Sequence, residues 1–69
     1  MIVHLINVKT GYYFQSPGQW TADRGEATVF KFASDAINLA YEKGLSDVEL
    51  LMEFSTPLVR ELRMPLRLR

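Results

Sequence analysis

The sequence predicts an α+β fold in which a small antiparallel sheet carries one main helix on one face. Three observations predict it: an aliphatic N-terminal stretch, an alanine-rich stretch with helical spacing, and an alternating apolar stretch after Gly44. We expect the sheet to combine an N-terminal hairpin with one or two C-terminal strands. With 69 residues and 48% apolar content, the chain forms one domain, near the size at which a single core barely suffices.

The N-terminal hairpin is predicted from residue type and turn chemistry. Residues 2–8 are mainly β-branched and aliphatic, which is typical of a strand. Gly11 can adopt positive φ, so it closes a hairpin onto a return strand over residues 12–15. Residues 16–19, Ser-Pro-Gly-Gln, have the chemistry of a type II turn. We expect Trp20 to anchor the loop that follows this turn to the core.

A helix is predicted over residues 35–43, with Ser34 as its N-cap and Gly44 as a left-handed C-terminal cap. Before it, we expect one helical turn over residues 23–27 and a brief extended segment around Lys31. The apolar positions of the helix recur at helical spacing and share one face: Ala36, Ile37, Ala40 and Tyr41.

Two structures compete immediately after Gly44. Residues 46–49, Ser-Asp-Val-Glu, match a capping box, which would start a helix. Residues 48–54 alternate with a period of two, which predicts a strand, and we favour it because it completes the sheet beneath the helix. In this alternation Val48, Leu50, Met52 and Phe54 occupy one side, and Glu49, Leu51 and Glu53 the other.

The C-terminal segment, residues 58–69, also alternates, and we predict that it is extended. A helix that begins at Pro57 and ends at Pro65 is the alternative. The alternation continues through Pro65, which a helix would not tolerate but an edge strand does. Only Arg60 is out of place: Leu58, Leu62, Met64, Leu66 and Leu68 share one parity, whereas Arg63, Arg67 and Arg69 share the other.

The zero net charge is distributed unevenly along the chain. Residues 60–69 contain four arginines and one acid, Glu61, whereas residues 1–59 carry a balance of −3. An acidic body and a basic end indicate a contact, either within the molecule or with a partner.

Little in the sequence indicates catalysis. Without cysteine, the chain has no disulfide, thiolate metal site or thiol nucleophile. His4 is the single histidine, and the most economical interpretation is a partly buried structural residue. The glycines are scattered and form no phosphate-binding loop. We therefore predict no enzymatic activity, no cofactor, no metal site and no membrane segment, and we expect a cytoplasmic location.

The leading hypothesis is a non-catalytic protein-interaction module that self-associates, as a homodimer, through the C-terminal segment. One alternative is a nucleic-acid-binding accessory protein that uses the C-terminal arginines and an exposed aromatic ring, although dedicated binders are usually basic. Another is a regulator of one specific enzyme, which the sequence does not distinguish from the first. In a competing interpretation, the leucines complete the domain's own core and the arginines neutralise Glu49 and Glu53. The candidate interaction residues are Tyr13, Arg60, Leu62, Arg63, Met64, Leu66, Arg67, Leu68 and Arg69.

Overall fold

In a computed structural model, which describes residues 2–55, 58 and 60–66, one α-helix packs on a five-stranded sheet. All the strand pairs are antiparallel, which confirms the predicted α+β fold. In chain order the elements are β1 (Ile2–Asn7), β2 (Tyr13–Ser16), β3 (Gln19–Thr21), a 3-10 turn (Arg24–Glu26), α1 (Ala33–Glu42), β4 (Val48–Glu53) and β5 (Glu61–Pro65). Across the sheet the strands follow the order β3-β2-β1-β4-β5.

β1 and β4 form the centre of the sheet and pair along their whole lengths. Both strands are mainly aliphatic, so burial of their side chains on either face of the sheet stabilises the fold. Full burial of a valine or leucine contributes roughly 1.5–3 kcal/mol relative to exposure. The largest fully buried side chains of the described chain all belong to this pair: Val3, Leu5, Leu50 and Leu51.

The capping-box alternative at residues 46–49 is wrong, because the backbone turns there and β4 begins at Val48. Asp47 has a φ of 59°, which no residue in the first turn of a right-handed helix adopts. Its carbonyl accepts a hydrogen bond of 2.9 Å from the backbone N–H of Val8, and its carboxylate lies 3.4 Å from the Lys9 ammonium. These contacts join the start of β4 to the end of β1.

α1 packs on one face of the sheet, across β1 and β4. Ala36 and Ala40 are fully buried, and their small side chains allow the helix to lie close to the strands. Ile37 is partly buried beside them, as the helical spacing predicts. Tyr41 is 60% exposed, so its predicted place on this face is wrong. It lies about 100° around the helix from Ala40, beyond the buried stripe.

The opposite face of the central strands is buried as well. Leu51 is fully buried, although the alternation places it on the polar side of β4. His4 lies directly opposite Leu51 in the register and is also buried. The Tyr13 ring packs edge-on against His4 at 5.8 Å, and the His4 Nδ1 donates to the Thr28 carbonyl at 3.1 Å. The loop between β3 and α1 therefore helps to cover this face.

The N-terminal hairpin forms as predicted, but β2 stays beside β1 only at its start, where Ile6 pairs with Tyr13. Toward the N-terminal end of β1, Phe30 bridges to Val3 through two backbone hydrogen bonds of 3.2 and 2.8 Å. This bridge shows extended pairing at Phe30, within the brief extended segment expected around Lys31, whereas the backbone bends at Lys31 and Phe32. The segment occupies the position beside β1 that β2 has left.

β3 is a strand that the sequence does not predict. Gly18 has the positive φ (80°) that the predicted turn requires, and β3 returns from that turn along β2. Trp20 lies opposite Phe14, and the two rings meet edge-on at 5.5 Å. Trp20 thus anchors this region as expected, but from within a strand whose three residues are too few to show an alternation.

α1 begins two residues earlier than predicted. Its N-cap is Phe32, which forms no side-chain capping bond, so the assignment of Ser34 as N-cap is wrong. Ala33 is partly buried against the core. The helix thus begins where Ala33 contacts the core and lacks a side-chain cap, which usually contributes about 1 kcal/mol.

α1 ends in a Schellman motif, with Gly44 as the left-handed residue that the sequence predicts. The Leu45 N–H donates to the Ala40 carbonyl at 2.9 Å, and the Gly44 N–H donates to the Tyr41 carbonyl at 3.2 Å. Gly44 has a φ of 62°, a conformation that costs side-chain-bearing residues about 1–2 kcal/mol.

Replacing Gly44 should therefore destabilise the protein through the backbone alone. We expect Gly44→Ala to lower the free energy of unfolding by about 1 kcal/mol, and Gly44→Asn to lower it less, because asparagine tolerates left-handed φ better. Urea denaturation followed by circular dichroism measures both. No packing loss complicates the comparison, since a Cβ atom at this position meets nothing within 4 Å. Equal stability of Gly44→Ala and the natural chain would contradict the assignment.

Candidate interaction surface at the β5 edge

β5 confirms that the C-terminal segment is extended over residues 61–65 and rules out a helix there. It pairs with β4 in antiparallel register, with Leu62 opposite Met52 and Met64 opposite Leu50. No strand of the described chain covers its outer side, so β5 is an edge of the sheet. The candidate residues Arg67, Leu68 and Arg69 lie outside the described residues, as do residues 56, 57 and 59.

The backbone groups of β5 alternate between β4 and the open edge. The Phe54 N–H donates to the Arg60 carbonyl at 2.8 Å, and the Leu66 N–H donates to the Val48 carbonyl at 3.1 Å. Hydrogen-bonded positions recur at every second residue of an antiparallel pair, so the even-numbered residues of β5 face β4. The outward positions are Glu61, Arg63 and Pro65.

Pro65 occupies one of these outward positions, and this explains how a strand accommodates it. Proline has no backbone N–H, so it cannot donate to a neighbouring strand. At an outward position the missing donor removes no hydrogen bond from the protein's own sheet. The same residue would interrupt the ladder if it faced β4.

Two apolar side chains on the helix-bearing face of β5 remain half-exposed. Leu62 is 48% exposed and Met64 is 44% exposed, because α1 packs over β1 and β4. Leu66 is partly buried against the core. Only Leu66 of these three therefore acts mainly as a core residue, as the competing interpretation expects, while Leu62 and Met64 leave apolar surface in solvent. Leu58 is 93% exposed and adds nothing to the core.

Arg63, on the other face of β5, contacts the neighbouring strand only loosely. Its Nη1 lies 3.9 Å from Glu49 Oε1, and the arginine side chain is more than half exposed. Exposed ion pairs of this kind contribute about 0–1 kcal/mol, because water screens them. Arg63 thus supplies the expected neutralisation of Glu49 while more than half of its side chain stays in solvent. Glu53 is neutralised by Arg24 instead, from the loop after β3.

Arg24 is the centre of the strongest polar contact near this edge, which we call the Arg24 cluster: Arg24, Tyr13, Glu53 and Glu61. The Arg24 Nη1 donates to carboxylate oxygens of both Glu53 and Glu61, the latter at 2.8 Å. Its Nε and Nη2 donate to the Tyr13 hydroxyl at 3.2 and 3.0 Å. Three separate segments, β2, the 3-10 turn and the β4–β5 pair, are thus joined by one guanidinium.

The Arg24 cluster compensates a like-charge pair. Glu53 and Glu61 lie directly opposite each other in the β4–β5 register, an arrangement that destabilises a sheet when nothing neutralises it. The hydrogen bond to Glu61 is the main cause that raises the pKa of Arg24 above its ordinary value, followed by that to Tyr13, while partial burial opposes the rise. Arg24 therefore stays charged and holds β5 beside β4.

Tyr13 is not the freely exposed ring that the nucleic-acid hypothesis expects. The ring is half-buried, it contacts His4 edge-on, and the Arg24 guanidinium lies 5.3 Å from its centroid. Two strands, β1 and β4, separate it from the β5 edge. Tyr13 reaches this edge only through Arg24, which links its hydroxyl to Glu61, so its ring does not stand free beside Arg63.

The sequence contained no signal for the Arg24 cluster. Arg24 is separated from Glu53 by 29 positions and from Glu61 by 37, so no local pattern relates them. The sequence predicts one helical turn over residues 23–27, and the structure has a 3-10 turn there (Arg24–Glu26). The Asp23 carboxylate caps this turn by accepting from the Gly25 N–H at 2.9 Å. Only the fold of the sheet brings this turn over Glu53.

Comparison with known proteins assigns the chain to no group: neither a protein-family model, nor a curated protein, nor a solved structure matches it. Within residues 2–55, 58 and 60–66, no three His, Cys, Asp or Glu side chains lie together as a metal site would require. No helix in the same described part has the length and apolar character needed to cross a bilayer.

Loss of Arg24 should loosen β5 selectively. We expect Arg24→Met to lower the free energy of unfolding by about 1 kcal/mol, a modest cost because the side chain is 36% exposed and partly screened. Amide hydrogen exchange should accelerate in β5 more than in β1. Lys43→Met is the matched control, since Lys43 is exposed and makes no ion pair among the described residues.

A double-mutant cycle separates charge compensation from simple packing in the same cluster. In a Glu61→Gln background the two opposed carboxylates no longer repel, so Arg24→Met should cost less than in the natural chain. Thermal unfolding at low protein concentration measures the difference. An identical cost in both backgrounds would show that Arg24 does not act by neutralising Glu61.

Proposed function

We propose that this protein is a non-catalytic protein-interaction module that self-associates as a homodimer through the outer edge of β5. We base this proposal on the exposure of that strand. All five residues of β5 are exposed, its outward backbone groups have no strand beside them in the described chain, and Leu62 and Met64 leave about half their surface in water.

Strand addition is the mode of association that such an edge supports. An extended partner strand satisfies the outward N–H and C=O groups, while side chains on alternate positions supply the apolar contact and the specificity. Natural proteins usually protect an exposed edge, because an open strand invites pairing. β5 has Pro65 near one end, and the stretch from Glu61 to Arg63 remains free to pair.

The size of the domain makes a second copy a favourable occupant. A chain of about 70 residues buries only around 60% of the surface that its unfolded form exposes, so added burial has a large relative effect. Pairing of β5 with an identical strand would cover Leu62 and Met64 on both copies at once. Dimerisation therefore buries this apolar surface without requiring any other segment of the chain.

The proposal gives no catalytic role to His4 and places the protein in the cytoplasm. The His4 Nδ1 donates to a backbone carbonyl, and the ring is buried between Tyr13 and the central strands, which suits a structural role. The chain contains no cysteine, so its folding depends on no disulfide and needs no oxidising compartment.

Sedimentation velocity of the full chain tests self-association. An interface made by two short strands is small, so the concentration should range from roughly 1 μM to 1 mM. We expect a monomer–dimer equilibrium for the natural chain. Arg63→Pro should abolish the dimer, because it removes an outward N–H and leaves every hydrogen bond to β4 in place.

Arg63→Ala is the matched control for this substitution, since it removes the same side chain and keeps the N–H. We expect Arg63→Ala to retain a weakened dimer, and circular dichroism should show that both variants remain folded. A natural chain that sediments as a monomer over the whole range would refute the proposal. Binding of labelled oligonucleotides with a steep salt dependence would instead favour the nucleic-acid alternative.

A further inference from the structure

We infer that the two β5 strands of the proposed dimer pair in one antiparallel register, centred on Leu62, with Glu61 of each copy opposite the partner's Arg63. This inference rests on the proposed function and adds to it the geometry of the partner. It follows from three features of β5: which backbone groups face outward, where the charges lie, and where Pro65 falls.

The outward backbone groups restrict the possible registers. A closed dimer has two-fold symmetry, and identical strands beside such an axis run antiparallel. In the new ladder, a hydrogen-bonded pair forms only where an outward residue of one copy lies opposite an outward residue of the other. Within β5 these residues are Glu61, Arg63 and Pro65. The two-fold axis of the dimer therefore passes beside residue 61, 62 or 63, or beside a later residue of the strand.

The charges distinguish between these registers. An axis at residue 61 places the two Glu61 carboxylates opposite each other, and an axis at residue 63 does the same with the two Arg63 guanidinium groups. Like charges directly opposite destabilise a sheet. With the axis at Leu62, two pairs of opposite charge form, and both are made by residues that are accessible in the monomer.

The position of Pro65 also favours an axis at Leu62. An axis at Arg63 places Glu61 opposite the partner's Pro65, and an axis farther along places Arg63 opposite it. In either case one donor of the pair is missing on each side, because proline has no N–H. The register centred on Leu62 uses only Glu61 and Arg63, which both donate and accept. It therefore forms two complete hydrogen-bonded pairs.

The apolar side chains also fit this register. Leu62 meets the partner's Leu62 at a position between hydrogen-bonded pairs, where opposed Cα atoms come within about 4.5 Å. Met64 lies opposite the partner's Arg60, whose alkyl chain can cover the thioether. Both half-exposed side chains of β5 are thus covered, and one continuous sheet carries the two helices on the same side.

Cysteine cross-linking measures the register directly, and the natural chain contains no cysteine to interfere. Leu62→Cys places two thiols at a Cα separation that a disulfide spans, so oxidation should convert most of the chain into a covalent dimer. Met64→Cys is the control at an equally accessible site. Its two copies lie about 13 Å apart along the strands, which a disulfide does not bridge.

Charge reversal gives an independent measure of the same register. Arg63→Glu places two carboxylates opposite each other in both pairs, so we expect the dissociation constant of the dimer to rise roughly tenfold at low salt and less at high salt. Arg63→Ala should weaken the dimer less. If the axis lay at residue 63, Arg63→Ala would strengthen it, and that result would overturn the inference.

The two proposals fail in different ways. Efficient cross-linking of Met64→Cys without that of Leu62→Cys, in a chain that sediments as a dimer, overturns the register and leaves the self-association intact. A natural chain that stays monomeric in sedimentation, with neither cysteine variant cross-linking, overturns both. Selective cross-linking of Leu62→Cys, together with the weakening by Arg63→Glu, supports the register.

Discussion

The pairing of β1 with β4 is the interaction on which the rest of the structure depends. Residues far apart in the chain meet there along two complete strands, and burial on both faces stabilises the pair. One face is closed by α1, the other by Tyr13 and the loop that carries Arg24. Every other element is positioned relative to this pair: β2 and β3 extend it on one side, and β5 extends it on the other.

The position of α1 over this central pair also explains why β5 is exposed. An α-helix is about 10 Å across and so covers about two strands that lie about 4.8 Å apart. α1 lies over β1 and β4, the two strands that carry the largest fully buried side chains of the described chain. The strand beyond them receives no such cover, so Leu62 and Met64 stay half-exposed. The Arg24 cluster adds a polar contact to the backbone pairing of β5 with β4. In the described part of the chain no second α-helix lies over β5.

Elements with a strong local signal could be predicted from the sequence, whereas long-range contacts could not. The period-two alternation predicts β4 and the extended β5, and the tolerance of glycine for positive φ predicts that α1 ends before Gly44. The sequence misplaces the start of α1, because the helix extends back to Ala33, which packs against the core, and no local pattern signals that contact. β3 was too short to show a pattern, and the Arg24 cluster joins residues that only the folded sheet brings together. At the candidate surface, parity predicted that Leu62 and Met64 share a face, but not how exposed they are.

The unequal edges of the sheet have a consequence for assembly at high concentration. β3 borders the far side with only three residues, and short edge strands are poor templates for the addition of another chain. With β5 occupied in the proposed dimer, the three-residue β3 is the remaining edge of the described sheet. The proposed assembly therefore disfavours open-ended fibrils, because further growth would need a second edge long enough to pair.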